Sequence, residues 1–128
     1  MITPYKIERD IAGYNGFGLQ PSNLKFSADL AATTDTTLTI PDGASLGMPG
    51  ATKNRFLAII KVEWGKEVWF AMNATAAAPA GASFAETDSE LIVSTQDFAR
   101  EVVAGDVLHF FSTPGAEVSV VLYTLPAN

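Results

Sequence analysis

Few residues in this chain have side chains suited to chemistry. His109 is the only histidine, and there is no cysteine. Nucleophilic catalysis of the Ser-His-Asp kind needs a base held beside a nucleophile. An imidazole inside the run VLHFF reads instead as a strand residue, with Val107 and Phe111 on its side of the strand. A zinc site needs three or four nitrogen, oxygen or thiolate ligands, and one histidine without cysteine is a poor start. The 14 acidic residues offer many carboxylate pairs, but no spacing singles out the two that glycoside hydrolysis requires. Glu86, Asp88 and Glu90 are acidic at every second position. Calcium takes several carboxylate oxygens, but the EF-hand spacing is absent, so the run reads as a solvated acidic edge. Gly13, Gly16 and Gly18 lack both the spacing and the strand and helix flanks of a dinucleotide fingerprint. Asn73-Ala74-Thr75 matches a glycosylation sequon by chance. The chain therefore reads as one without catalytic residues, cofactor or metal.

What remains is contact chemistry. Trp64, Trp69, Tyr5, Tyr14 and Tyr123 are amphipathic aromatics of the kind found at interfaces and on sugar platforms. Trp69 stands mid-strand, where core or interface is the expected place. Residues 11–22, IAGYNGFGLQPS, are too rich in glycine for a helix or a good strand. They are also too apolar for a solvated linker. Residues 1–22 thus read as an extended arm, packed on its own domain or docked on a neighbour, with Tyr5, Tyr14, Phe17 and Leu19 as candidate partner-binding residues. Residues 23–128 form the domain proper.

Composition narrows the partners. A chain of 128 residues is one domain, long enough to bury roughly two thirds of its unfolded surface without staples. Charged residues make up 17%, below the roughly 25% of an average soluble domain, while apolar residues reach 48%. The net charge of −6 gives no means of neutralising phosphates, so neither nucleic acid nor an anionic membrane is an expected partner. No apolar run approaches the ~20 residues of a membrane span, and no signal-peptide pattern follows Met1. The expectation is a protein made and used without crossing a membrane.

The elements that must position any contact residue are strands. Residues 55–78, RFLAIIKVEWGKEVWFAMNATAAA, are the stretch around which the rest is arranged. Phe56, Ala58, Ile60 and Val62 share one face at period two, and Val68, Phe70 and Met72 share another. Gly65 can supply the positive φ of a short loop, so the stretch predicts a central hairpin. Residues 23–30 alternate apolar and polar, and residues 33–40, TTDTTLTI, are β-branched; both predict strands. Pro41-Asp42-Gly43 is a turn, and residues 44–54 are an exposed loop. Residues 73–81 read as extended chain and turn, and 83–86 as a short strand. Residues 91–93, 107–111 and 117–125 predict strands, and 96–103 a strand or a helical turn or two. About eight short strands with little helix define an all-β chain, an antiparallel β-sandwich or jelly roll.

Several strands are apolar on both faces. Leu108 and Phe110 oppose Val107, His109 and Phe111, and Val118, Val120 and Leu122 oppose Val121, Tyr123 and Leu125. A two-layer sandwich covers one face of each sheet, so the arm, a loop or another subunit must cover the other.

The stretch EVWFAMNATAAAPAGASFAETDSEL, then VVAGDVLHFFST and a final EVSVVLYTLP, resembles small β-sandwich virion proteins of tailed bacteriophages, the capsid decoration or cement type. The resemblance covers about residues 33–126 and carries no catalytic residues to transfer. It implies a non-enzymatic structural protein on the outer capsid surface, made in the host cytoplasm. It also implies the major capsid protein as partner and a homo-oligomer, with a trimer favoured by the threefold positions of capsids. The alternative expectation is a carbohydrate-binding module or host-adsorption component of the virion.

Overall fold

In a computed structural model of the chain, the described residues are 22, 24–42 and 54–125. They form eight strands and no helix: β1 Lys25–Leu30, β2 Thr36–Thr39, β3 Arg55–Val62, β4 Val68–Met72, β5 Glu90–Ile92, β6 Phe98–Val103, β7 Val107–Phe111 and β8 Ala116–Thr124. Two antiparallel sheets face each other, with strand orders β1-β8-β3-β6 and β2-β7-β4-β5. The pairings are first with last and inward: β1 with β8, β2 with β7, β3 with β6, β4 with β5. That is one long hairpin rolled into two layers, a jelly roll. The extra pairs β3–β8 and β4–β7 complete the two sheets.

Period-two burial builds the core. Phe56, Ala58 and Ile60 of β3 and Val118, Val120 and Leu122 of β8 point inward from one sheet. Val68 and Phe70 of β4, Leu108 and Phe110 of β7 and Ile92 of β5 meet them from the other. Each of these side chains other than that of Ala58 gains about 1.5–3 kcal/mol by leaving water. Phe70 is the crossing point between the layers. Its ring lies 5.4 Å from that of Phe98 in the opposite sheet, edge to face, and 5.4 Å from that of Phe110 in its own. Along the side where β5 and β6 form the sheet edges, Arg100 pairs with Glu90 and lays its guanidinium 4.0 Å from the centre of the Phe98 ring.

One expectation is overturned. Residues 55–78 do not form a hairpin. β3 pairs with β8 and β6, β4 pairs with β7 and β5, and the two never pair with each other. The turn at Trp64-Gly65 does exist, with Gly65 at φ 79°. It carries the chain from one sheet to the other, which sets the apolar faces of β3 and β4 against each other across the core. A turn signal does not distinguish a loop within a sheet from an arch between sheets. The expected short strand at 83–86 is also absent; residues 83–86 are exposed loop. Residues 98–103, left between strand and helix by their sequence, are strand β6. The arm and most of the loop at 44–54 lie outside the described residues.

Candidate functional site

The outer face of the sheet β2-β7-β4-β5 is where the chain departs from a plain sandwich. In register across it, Phe111, Trp69 and Leu91 form one row, and Thr37, His109 and Ala71 the next. This is the second apolar face that the sequence says must be covered. Residues 73–89, which join β4 to β5, fold back over part of it. Connections longer than about 12–15 residues without regular structure are uncommon in compact domains and usually functional or disordered.

The connection is tied down at its start and its neck. Asn73 sits at φ 60°, a conformation asparagine tolerates better than most residues, and its Oδ1 accepts the Val107 N–H at 2.8 Å. Its amide Nδ2 donates to Asp106 Oδ1 at 3.2 Å. Ala76 is buried, and its N–H donates to Asp35 Oδ1 at 3.1 Å. The Ala77 N–H donates to Ser89 Oγ at 3.1 Å, which closes the neck. Beyond it, among the described residues, none of the backbone hydrogen bonds of the turns and loops falls within residues 78–87. Residues 79–87 are exposed and Ala78 half-buried, and Phe84 stands fully exposed among them. Between this loop and the half-buried indole of Trp69 lies a cleft of about 520 Å³, lined also by Ala78, Phe84, Glu86 and Thr87. The Trp69 Nε1–H donates to Glu67 Oε1 at 2.7 Å, which fixes the plane of the ring.

A second surface runs along the β5 side. Leu91 and Val93 are about half exposed, and Trp64 is 80% exposed in the β3–β4 turn. The Gly65 N–H donates to Ser94 Oγ at 3.1 Å, so that turn is fastened next to Val93.

His109 lies in β7 as expected, but its neighbours differ from the expected apolar layer. Its Nδ1 is 2.8 Å from Asp35 Oδ2, and the imidazole is mostly covered. The pair joins β7 to the chain entering β2 and, through Ala76, to the covering loop. Glu86, Asp88 and Glu90 do not converge: Glu90 is turned to Arg100, and among the described residues no group of three or more His, Cys, Asp and Glu side chains is placed to hold a metal ion. Tyr123 is buried in β8, away from any cleft described. Tyr5, Tyr14, Phe17 and Leu19 lie outside the described residues. Sequence reasoning missed Asp35 and Phe84. The signal for Phe84 was available, since a lone large apolar residue in the run APAGASFAET has no periodic partner to pack with. The signal for Asp35 was not, because its contact depends on the β2–β7 pairing.

Comparison with known protein families, with characterised proteins and with solved structures found no match to this chain.

Proposed function

We propose that this chain is a non-enzymatic structural protein of a tailed-phage virion, which decorates or cements the outer capsid surface through contacts with the major capsid protein. The observation that carries the reading is the exposed apolar side chains of Trp64, Val93 and Leu91, on chain fastened together by the Gly65–Ser94 bond, beside β5, which is an edge strand among the described residues. Large apolar side chains gathered in one exposed region mark sites of association. The jelly roll itself is an architecture of capsid proteins and of lectins, so it fits the reading without selecting it. Binding adds buried area between capsomers, and the chain assembles as a homo-oligomer, a trimer where it meets a threefold position. The test is sedimentation of purified protein with capsids of the phage that encodes it. Co-sedimentation that is lost in the double substitution Trp64→Ser, Val93→Ser supports the reading. A folded protein that never sediments with those capsids sinks it.

One observation favours a second reading, a carbohydrate-binding or host-adsorption component. It is the cleft floored by Trp69, a feature that protein contact through the β5 side does not use.

A further inference from the structure

We infer that the cleft between Trp69 and residues 78–87 binds a neutral sugar ring, and that it selects against acidic sugars. The inference rests on the second reading above and specifies its site and ligand class.

The first argument is size and form. Small-molecule sites are concave, about 300–1,000 Å³, mostly apolar, with a few placed polar groups. The cleft has about 520 Å³ and an apolar lining of Trp69, Phe84, Pro79 and alanines, interrupted by Glu86 and Thr87. That volume takes one or two sugar rings and leaves no room for a helix.

The second argument is the aromatic floor. One face of a pyranose presents only C–H groups, which pack on the negative face of an indole, while its hydroxyls lie at the ring edge. Trp69 lines the cleft and stands on a rigid mount. It stands on a central strand between Phe111 and Leu91, and its N–H is committed to Glu67. A ring fixed before the ligand arrives loses little freedom on binding.

The third argument is hydrogen bonding. Stacking alone does not hold a sugar, whose hydroxyls need partners when they leave water. Residues 78–87 supply them: peptide groups outside the backbone hydrogen bonds found among the described residues, the Ser83 hydroxyl, the Thr87 hydroxyl, which accepts the Ser89 N–H at 3.3 Å and keeps its own hydrogen to donate, and the Glu86 carboxylate, which accepts from sugar hydroxyls. Small side chains at 78, 80, 81 and 82 let a ligand approach this backbone closely.

The fourth argument sets the charge. The cleft lining contains a carboxylate and no basic side chain, with a second carboxylate, Glu67, at the N–H edge of the indole. An anionic sugar seated there would meet like charge at short range, with no basic side chain in the lining to offset it.

The experiment uses the full chain labelled with nitrogen-15. Cellobiose, maltose and diacetylchitobiose are titrated as neutral probes, and digalacturonic acid and sialyllactose as acidic ones. The chain has two indole N–H resonances, one for each Trp, and Trp69→Phe assigns them. The expected result is saturable movement of the Trp69 indole and of the amides of 78–87 with a neutral probe, at millimolar affinity, roughly the strength of a site with one stacking ring. Trp69→Ala weakens it by about tenfold or more, and Phe84→Ala, which leaves the fold intact because Phe84 packs on nothing, weakens it by a smaller factor. Glu86→Gln weakens neutral binding through the lost carboxylate acceptor and narrows the gap between neutral and acidic probes by about threefold or more, since the charge and not the shape is removed. A sugar that binds with the Trp69 indole and loop amides unmoved, and equally well to Trp69→Ala or Trp69→Phe, overturns the cleft as its site while leaving the second reading intact. Preference for an acidic probe overturns the selectivity. No response to any probe at tens of millimolar overturns both the cleft and the second reading and leaves the capsid reading alone.

Discussion

Asp35 holds His109 and Ala76 at once, one carboxylate oxygen 2.8 Å from the imidazole Nδ1 and the other 3.1 Å from the buried Ala76 N–H. A residue just before β2 therefore fastens both the neighbouring strand and the connection that covers the sheet. Asp35→Ala removes both acceptors and leaves the Ala76 N–H buried without a partner, at a cost of about 1–3 kcal/mol. His109→Gln leaves the Ala76 bond in place, so its cost is the smaller of the two. Urea denaturation ranks the pair, and amide exchange at Ala76 separates a local effect from a global one. Unchanged exchange at Ala76 in Asp35→Ala would show that the carboxylate does not hold the loop.

That relationship marks the limit of what the sequence tells. Strand positions were legible because burial alternates in β3, β7 and β8 as far as Leu122, where Phe56, Ala58 and Ile60, or Leu108 and Phe110, occur at period two. The partners of those strands were not. A jelly roll pairs Lys25 with Val121 and Thr37 with His109, and nothing local records so distant a register. The hairpin error has the same origin, since Gly65 turns the chain equally well within a sheet or between sheets. The need for a cover over two-sided strands was legible from Val107, His109 and Phe111. That residues 73–89 supply part of it follows from Asn73, Ala76 and Ser89, whose roles exist only once the strands are placed.

Two phenylalanines test the division between core and surface. Phe70 is 2% exposed and touches the rings of Phe98 and Phe110, whereas Phe84 is fully exposed. Phe70→Ala leaves a cavity between the layers and loses two ring contacts, which costs about 3–5 kcal/mol. Phe84→Ala changes stability by no more than about 0.5 kcal/mol, the range for surface sites without partners. Thermal unfolding of both variants checks the contrast, and comparable losses would mean that Phe84 packs against something in solution.

The ion pairs stitch edges and contribute little on their own. Arg55 donates from Nε to Glu101 at 2.7 Å across β3 and β6, with both side chains substantially exposed. Exposed pairs are worth about 0–1 kcal/mol after screening and the ordering of long side chains. Glu101→Gln is expected within that range, and a double-mutant cycle with Arg55→Met measures the coupling. Arg100 differs, because it pairs with Glu90 and also covers the Phe98 ring. Arg100→Ala therefore costs more than Glu90→Gln, through lost packing as well as lost charge. Equal losses in the two variants would remove the packing part of this argument.

The turn before β8 gives the sharpest steric test. Gly115 has φ 82° and Gly65 φ 79°, so both occupy the left-handed region that costs a residue with a Cβ about 1 kcal/mol or more. Their surroundings differ. A Cβ at Gly65 would meet open space, whereas one at Gly115 would come 2.9 Å from the Leu30 carbonyl oxygen, at the end of β1. That contact is with backbone, which cannot swing aside as a side-chain end can. Leu30 pairs with Ala116, so relieving the clash means pulling β1 from β8 at the join of the first and last strands. Gly65→Ala is expected to cost about the conformational strain alone. Gly115→Ala is expected to cost that plus the clash, at least another 1 kcal/mol on the scale of overpacked sites. Denaturant midpoints of the two variants decide it, and a Gly115→Ala protein as stable as Gly65→Ala would mean that the β1–β8 end is looser than its close packing implies.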